Sequence, residues 1–330
     1  MKAQIVYALI ASNNTLFFQE LWASAYSFRL HNPDCVIRVL CDKPTYDYIT
    51  TFPKFLGLVD NIIIVSVPNE YSPKLRSRQI KTTVRKFVEG PYLFVDTDTI
   101  CAEPLDDICQ FLKYDVAAEN EFHVPLFQSV FRHHVANYIK SAFGSNITED
   151  DRWLNSGVMF VNDTPAAFDF YDCWHKNWEH SAFESGNPQD QPALLMTYRE
   201  KKKIISALPG EYNCQVGLCV KYLAYAKIIH FLHFDYPKDQ SFNPFQTKEI
   251  YRKIKENGDL TPEIVEMIKN VKSIYSSPSC VVGWSTMNFL MSPAAPTFEK
   301  IYNEGGAASW LMLKIAGILE KIHEIFRRNK

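Results

Sequence analysis

The chain has 330 residues, of which 47% are hydrophobic and 22% charged, so it can bury a full core and is neither disordered nor fibrous. Lysine and arginine number 35 against 37 acidic residues, a net charge of −2, which argues against a general nucleic-acid-binding protein. Its 8 cysteines include no CxxC pair and predict reduced core thiols. No run approaches the roughly 18–20 apolar residues of a membrane span, and the first residues favour a strand over a signal peptide. We therefore predict a cytoplasmic protein.

Short apolar runs typical of strands alternate with helical stretches through the first 245 residues. The predicted strands are 5–10, 36–41, 61–65, 92–95, 116–118, 158–161 and 228–232. A helix with its apolar residues at helical spacing follows the first strand, and a basic helix over 76–88 ends at a Glu-Gly-Pro stop. The alternation predicts an α/β fold with a mostly parallel sheet flanked by helices. Charged helical segments then replace the strands, which divides the chain into a catalytic domain 1–245 and a mainly helical region 246–330 that either stands apart or belongs to the same unit.

The strongest chemical signal is the segment FVDTDTI at residues 94–100. Asp96 and Asp98 follow the end of a hydrophobic strand, where open α/β sheets bind ligands. Two carboxylates one residue apart can face the same cation, and Mn²⁺ and Mg²⁺ take oxygen ligands that they share with a diphosphate. Taken alone, the pattern also fits one aspartate that caps a turn beside another that is solvated.

A second class of enzyme has a similar sequence motif. Haloacid-dehalogenase-type phosphatases place a DxDx[TV] motif after a strand, with the first aspartate, here Asp96, as the nucleophile. Ile100 stands at the last position of that motif, three predicted strands precede it instead of none, and a downstream GDxxxD-like motif is missing. The phosphatase is therefore the less favoured alternative.

Several further segments, in order, resemble the GT-A glycosyltransferases of the glycogenin and bacterial lipopolysaccharide galactosyltransferase type (glycosyltransferase family 8 and close relatives). They are IVYALIASNNT at 5–15, FVDTDTI, DVAAE at 115–119, LNSGVMFVN at 154–162, NPQDQPALL at 187–195 and IIHFLH at 228–233. The resemblance implies a GT-A fold with a Rossmann-like sheet and a helical C-terminal extension. It also implies transfer of a sugar from a nucleoside diphosphate sugar, expected to be a UDP-sugar, to a glycan or glycolipid hydroxyl. The expected reaction is metal-dependent, retains the anomeric configuration and serves bacterial surface glycan synthesis.

The resemblance assigns a metal site. His230 matches the histidine that completes the metal ligands with Asp96 and Asp98, and the expected ion is Mn²⁺ or Mg²⁺. By itself, a histidine on an apolar strand is more often a core residue; the DxD motif reverses that interpretation.

The resemblance also assigns a donor-sugar site. Asp190 and Gln191 match the catalytic Asp-Gln pair, in which the aspartate accepts hydrogen bonds from sugar hydroxyls and the glutamine lies beside the anomeric carbon. The same stretch has the chemistry of a helix N-terminus. Glu119, Asn155 and Ser156 match further contacts to the donor sugar, and a glycine after them allows close backbone approach. A non-catalytic sugar-nucleotide-binding protein is a further alternative, which the metal triad and the Asp190-Gln191 pair disfavour.

The remaining assignments concern the nucleotide. Arg78 is the best match to the family's arginine upstream of DxD, with Arg76 and Arg85 as competitors. His233 stands where the family has glycine, and the usual Lys-Pro-Trp is replaced by Tyr-Pro-Lys, so that only the last residue could reach the diphosphate. The other residues assigned to nucleotide binding are Ala8, Ser12, Asn13, Thr97 and Lys238.

The last residues, 309–330, predict an amphipathic basic helix. Leu311, Ile315, Ile318, Ile322 and Ile325 share one helical face, and residues 311–330 hold five basic and two acidic side chains, a balance of +3. Such a helix fits either peripheral contact with an anionic membrane or docking on the preceding domain.

Overall fold

The computed structural model describes residues 3–12, 16–68, 70–129, 131–202, 204–216, 221–232, 244–245, 247–275 and 292–328. These residues form two compact units, Met1–Ser276 and Ser277–Lys330, and each is described by itself. The helices predicted after residue 245 are divided between the two units.

The strands of the first unit form two sheets. They are β1 Gln4–Leu9, β2 Val36–Cys41, β3 Asn61–Ile64, β4 Tyr92–Val95, β5 Thr99–Cys101, β6 Val116–Asn120, β7 Leu154–Val161, β8 Ile205–Ala207, β9 Cys214–Gln215 and β10 Ile228–His230. Seven of them make the main sheet in the order β3-β2-β1-β4-β7-β6-β8, and the other three make a small sheet in the order β5-β10-β9.

The main sheet is mostly parallel, as predicted. β1 runs parallel to β2 and β4, β2 to β3, and β6 to β8, whereas β7 is antiparallel to both of its neighbours. Because β7 runs the other way, its first half lies beside the carboxyl end of β4. The backbone nitrogen of Asp96 accordingly donates to the carbonyl of Gly157 at 2.7 Å.

Helices flank this sheet. In the first unit they are α1 Phe17–His31, α2 Lys43–Ile49, α3 Pro53–Leu56, α4 Pro73–Thr83, α5 Arg132–Phe143, α6 Pro165–Glu179, α7 Asp190–Lys201, α8 Lys248–Asn257 and α9 Pro262–Lys269. The predicted basic helix begins earlier than expected because the Ser72 hydroxyl accepts from the backbone of Leu75 and Pro73 occupies the first turn. It ends in a short 3₁₀ turn, Val84–Lys86.

The core of the first unit lies between the sheet and these helices. Side chains of β1, β4 and β7, including Val6, Phe94 and Met159, pack with Trp174 and Trp178 of α6. Burial of such large side chains contributes roughly 1.5–3 kcal/mol each to stability. The carboxyl end of β4, which Asp96 follows, is therefore anchored in a well-packed core.

The second unit contains α10 Ala294–Glu304 and α11 Gly306–Arg328. On α11, large apolar side chains are exposed, from 43% at Ile322 to 69% at Phe326. In the part of the chain that the structure describes, no helix is long and apolar enough to cross a membrane.

Candidate active site

Asp96, Asp98 and His230 come together because two strands pair next to the DxD turn. The two aspartates lie between β4 and β5, and β10 pairs with β5 so that His230 stands opposite Thr99. The backbone nitrogen of Phe231 also donates to the carbonyl of Asp98 at 3.0 Å. As a result, one ligand atom from each of the three side chains lies within 4.8 Å of the others. Nε2 of His230 is 3.2 Å from Oδ1 of Asp98.

The space for this cluster depends on Gly157 in β7. A Cβ atom at position 157 would lie 2.2 Å from Cε1 of His230 and 2.9 Å from Oδ2 of Asp96. A larger residue would therefore displace two of the three side chains. Two carboxylates and an imidazole around a space kept open by glycine form a donor set that fits a divalent cation.

A chain of buried hydrogen bonds orients His230. Its Nδ1 donates to Oδ1 of Asn213 at 3.0 Å, and Nδ2 of Asn213 donates to Oδ1 of Asn155 at 3.0 Å. Nδ2 of Asn155 donates to Oε2 of Glu121 at 2.8 Å, which also accepts from Nε2 of Gln191 at 2.8 Å. With Nδ1 occupied in this way, Nε2 faces Asp98, as is typical of a ligand held by outer-shell hydrogen bonds.

Burial and charge act in opposite directions on these groups. Burial alone would lower the pKa of His230, but Asp98, Asp96 and Glu121 together raise it. Burial raises the pKa of Glu121, and the hydrogen bonds from Asn155 and Gln191 only partly offset that effect.

A second cluster surrounds Asp190, the first residue of α7. Arg78 of α4 forms an ion pair with it, Nε to Oδ1 at 2.9 Å, and the Ser156 hydroxyl donates to its Oδ2 at 2.7 Å. Nζ of Lys81, one turn after Arg78 on the same helix, is 3.5 Å from Oδ2 of Asp190 and 2.9 Å from both carboxylate oxygens of Asp96. Burial alone would raise the pKa of Asp190, but Lys81, Arg78 and Ser156 together hold it well below its usual value.

The start of α7 is held from behind by two tryptophans. Nε1 of Trp174 donates to the carbonyl of Asp190, and Nε1 of Trp178 to that of Pro188, both at 3.1 Å. The Asn187 side chain accepts from the backbone of Gln189 at 3.1 Å. The Asn187 bond precedes the helix, and the N-cap residue Gln189 itself makes no side-chain cap. The carboxylate of Asp190 is buried and faces Ser156 and Arg78.

Two cavities meet at the DxD turn. The β1 cavity, about 430 Å³, is lined by Ala8, Leu9, Ile10, Phe17, Pro73, Lys74, Ser77, Arg78, Asp96, Thr97 and Asp98. The β7 cavity, about 330 Å³, is lined by Lys74, Arg78, Lys81, Asp96, Asp98, Glu121, Asn155, Ser156, Gly157, Gln189, Asp190, Gln191, His230 and Leu232. The four residues common to both are Lys74, Arg78, Asp96 and Asp98.

The residues assigned to the nucleotide divide into three groups. Ala8 and Thr97 line the β1 cavity, and Arg78 lines both. Ser12 is exposed and does not line either cavity. Outside the described residues lie Asn13, His233 and Lys238.

The two competitors of Arg78 are engaged elsewhere. Arg76 pairs with Asp42, the residue that caps α2. Arg85 is buried, donates to the carbonyl of Gly90 at 2.8 Å and stacks over the Tyr92 ring at 5.1 Å. Of the three arginines, only Arg78 therefore faces the cavities.

Of the residues assigned to the sugar, Asn155, Ser156, Asp190 and Gln191 line the β7 cavity. Glu119 lies on β6, with Oε1 3.7 Å from Nδ1 of His123, and is not among the lining residues.

Sequence reasoning missed several polar residues of the site, among them Lys74, which lines both cavities, and three more. Glu121 lines the cavity two residues after Glu119, and Lys81 follows Arg78 at helical spacing, so both stood next to recognised positions. Asn213 lies just before a two-residue strand and carried no sequence signal.

The chain matches no protein-family model and no curated protein sequence. Among solved structures, it is similar to the galactosyltransferase LgtC in complex with donor and acceptor sugar analogues. That match has a TM-score of 0.52 and 14% identity, and covers 80% of this chain and 99% of LgtC. The mostly parallel seven-stranded sheet flanked by helices, together with this likeness, shows that the chain has the GT-A fold.

Two further solved structures are similar at lower scores. For mouse xyloside xylosyltransferase 1 in its apo form, the TM-score is 0.47 at 12% identity, covering 70% of this chain and 97% of that one. For the glycosyltransferase GlyE of Streptococcus pneumoniae TIGR4, it is 0.47 at 16% identity, covering 83% of this chain and 64% of that one.

Proposed function

We propose that the protein is a metal-dependent glycosyltransferase that moves a sugar from a UDP-sugar to an acceptor hydroxyl. The observation that carries the proposal is the Asp96–Asp98–His230 cluster at the junction of two cavities on a GT-A fold. A donor that spans the junction would place its nucleotide in the β1 cavity, its diphosphate at the cluster and its sugar in the β7 cavity.

Asp96, Asp98 and His230 would hold Mn²⁺ or Mg²⁺. When bound, the cation offsets the negative charge that develops on the leaving diphosphate. Gly157 keeps the space for it open, and Asn213 holds the His230 ring in the orientation that presents Nε2. Arg78 and Lys74, which line both cavities, add positive charge where the diphosphate would lie.

In the β7 cavity, Asp190 would accept hydrogen bonds from sugar hydroxyls, since its lowered pKa keeps the carboxylate ionised. Gln191 donates its amide to Glu121, so its carbonyl oxygen remains for the reacting face of the sugar. Asn155 and Ser156 complete the polar wall. In this proposal the reaction retains the anomeric configuration, with Gln191 beside the anomeric carbon. Glu119 stays a predicted contact to the donor sugar.

The test is a panel of nucleoside diphosphate sugars assayed for release of the nucleoside diphosphate. We expect release from a UDP-sugar with Mn²⁺, loss of release with chelator, and recovery when Mn²⁺ is restored. Asp98→Ala should lose both the release and the metal-dependent binding of UDP. Hydrolysis of phosphate monoesters without release from any nucleotide sugar would favour the phosphatase, and undiminished transfer without both aspartates would refute the metal site.

We also propose that the acceptor is a glycan or glycolipid of a bacterial surface and that α11 contacts an anionic membrane. This rests on its exposed apolar side chains, such as Ile318 at 58% and Ile325 at 60%, together with basic residues on the same helix. An amphipathic helix of this kind binds lipid through its apolar face and through charge.

Deleting residues 309–330 should abolish binding to anionic vesicles and leave donor hydrolysis intact. Salt should weaken vesicle binding of the full chain without eliminating it, because only the electrostatic part is screened. Vesicle binding that is equal with and without the helix would refute this contact.

A further inference from the structure

Lys81 occupies an unusual place between the two clusters. Its side chain is 3% exposed, and its ammonium lies 5.2 Å from the centre of the Phe94 ring. Nζ is 2.9 Å from Oδ1 and from Oδ2 of Asp96, and 3.5 Å from Oδ2 of Asp190. One buried cation thus touches an aspartate of the metal cluster and the aspartate of the sugar cluster.

This arrangement has a consequence for metal binding. The ammonium engages both oxygens of Asp96, and a divalent cation needs at least one of them. An ammonium and a metal ion at the same carboxylate repel each other, all the more in a site of low dielectric. Metal binding at Asp96 therefore competes with Lys81.

The charges that line the β7 cavity explain why a cation such as Lys81 lies between Asp96 and Asp190. Four carboxyl groups line it (Asp96, Asp98, Glu121, Asp190), against Lys74, Arg78, Lys81 and the imidazole of His230. Removing Lys81 would take away the ammonium that contacts both Asp96 and Asp190. Uncompensated buried charge of one sign is costly, so a resident cation stabilises the cluster while no metal is present.

We propose that Lys81 is the resident counter-ion of the metal site: it neutralises Asp96 while the metal is absent and moves to Asp190 when the metal binds. Asp190 is the nearest alternative partner, and the distance of 3.5 Å requires only a small movement of the ammonium. Lys81 is then a positioning residue that links occupation of the metal site to the charge around the sugar-binding carboxylate. This inference rests on the proposed function, because it takes Asp96 to be a metal ligand.

The first test measures Mn²⁺ binding alone, without nucleotide, by calorimetry. Lys81→Met should bind Mn²⁺ about tenfold more tightly than the wild type, which corresponds to about 1.4 kcal/mol. Lys81→Arg keeps the charge and should stay close to the wild type. Lys74→Met is the matched control, because it removes an equal charge from the same helix and cavity but not from a partner of Asp96. Its effect should be clearly smaller.

Thermal unfolding supplies a second readout. Without metal, Lys81→Met should melt at a lower temperature than the wild type, and Mn²⁺ should raise its melting temperature by more than it raises that of the wild type. Equal Mn²⁺ affinities in the wild type, Lys81→Met and Lys74→Met, with equal gains in melting temperature, would overturn the proposal.

A further variant keeps the lysine in place, so the test does not depend on the folding of Lys81→Met. Asp190→Asn takes away the alternative partner, so Lys81 should hold Asp96 more firmly and Mn²⁺ binding without nucleotide should weaken several-fold. In a Lys81→Met/Asp190→Asn double variant most of this loss should vanish. An equal loss in both backgrounds, or no loss in the single variant, would contradict the proposal. If wild-type protein binds Mn²⁺ but releases no UDP from UDP-sugars, the proposed function fails and the role of Lys81 still stands.

Discussion

The two cavities beside the DxD turn are lined by different kinds of residue. The β1 cavity combines apolar residues, among them Leu9, Ile10 and Phe17, with Ser77, Thr97 and the four charged residues that it shares with the β7 cavity. The β7 cavity is lined almost throughout by polar or charged side chains, with Gly157 and Leu232 as the exceptions. The apolar part of the β1 cavity suits a flat ring such as the base of a nucleotide. The β7 cavity offers hydrogen-bonding groups that suit sugar hydroxyls.

This difference predicts that the two cavities will respond differently to substitution. A change at the shared cluster should affect both, whereas a change at Asp190, once Mn²⁺ is saturating, should affect only the β7 cavity. A change behind the DxD turn should weaken the site without removing any group that lines a cavity.

The largest expected effect comes from Gly157→Ala, which should disrupt the junction itself. The added methyl group would overlap the His230 ring and approach Asp96, so Asp96, Asp98 and His230 could not keep their arrangement. We expect Mn²⁺ affinity and sugar transfer to fall by about 100-fold or more. Overpacking in a buried strand should also cost about 1–3 kcal/mol of stability. Calorimetry, UDP release and thermal unfolding measure the three effects.

Gly57→Ala is the matched control for this substitution. A Cβ atom there would meet the nearest atom, the carbonyl oxygen of Lys54, at an ordinary contact distance of 3.5 Å. Its Mn²⁺ affinity and turnover should equal those of the wild type. Wild-type Mn²⁺ binding by a folded Gly157→Ala protein would show that the cluster does not need the space.

A smaller effect, confined to one cavity, is expected from Asp190→Ala. At saturating Mn²⁺, turnover should fall by about tenfold to a hundredfold, because each hydrogen bond to a charged group contributes about 1.5–3 kcal/mol. UDP affinity should change by less than about twofold, since UDP does not reach the sugar hydroxyl contacts. Asp172→Ala, which removes an exposed carboxylate paired with Lys86, should leave both quantities unchanged. A loss of UDP affinity as large as that of Asp98→Ala would show that Asp190 contacts the nucleotide and that its assignment to the sugar is wrong.

The contrast between the cavities also explains how far the sequence could predict them. Asn155, Ser156, Asp190 and Gln191 stand in short motifs of polar residues next to apolar runs, which is unusual enough to be recognised. The β1 cavity is shaped by where strands end and by common apolar residues. Apart from the DxD turn, this wall has no motif, so its contacts could be assigned only in part.

The fold was predicted better than its irregular parts. Strands β2 and β4 have the bounds that the sequence predicted, since each is a buried apolar run between turn residues. β7 was predicted only from residue 158 and begins at Leu154, because Asn155 and Ser156 interrupt the apolar run. Their burial depends on Asn213 and Asp190, which are distant in the chain. Strands of two or three residues, such as β5 and β9, lack a pattern of their own.

The smallest effect is expected from Tyr251→Phe, behind the DxD turn. The Tyr251 hydroxyl of α8 donates to Oε1 of Glu20 at 2.9 Å, and Oε2 of the same carboxylate accepts from the Thr97 hydroxyl at 3.3 Å. Burial, and then the charge of Glu20, raise the pKa of Tyr251, so its hydroxyl remains a donor throughout the working pH range. The link thus ties a helix after residue 245 to the middle residue of the DxD motif.

Removing that hydroxyl leaves a buried carboxylate with one donor fewer and loosens the support of Thr97. We expect the free energy of unfolding to fall by about 1–3 kcal/mol, and the affinities for Mn²⁺ and UDP to fall by only a few-fold, because every group that lines a cavity is still present. Tyr225→Phe, at a hydroxyl-bearing side chain that is 78% exposed, is the control and should change neither quantity. If Tyr251→Phe weakened UDP binding as strongly as Gly157→Ala, α8 would belong to the nucleotide site itself. If it changed stability alone, the turn would be held fully by the strands on either side of it.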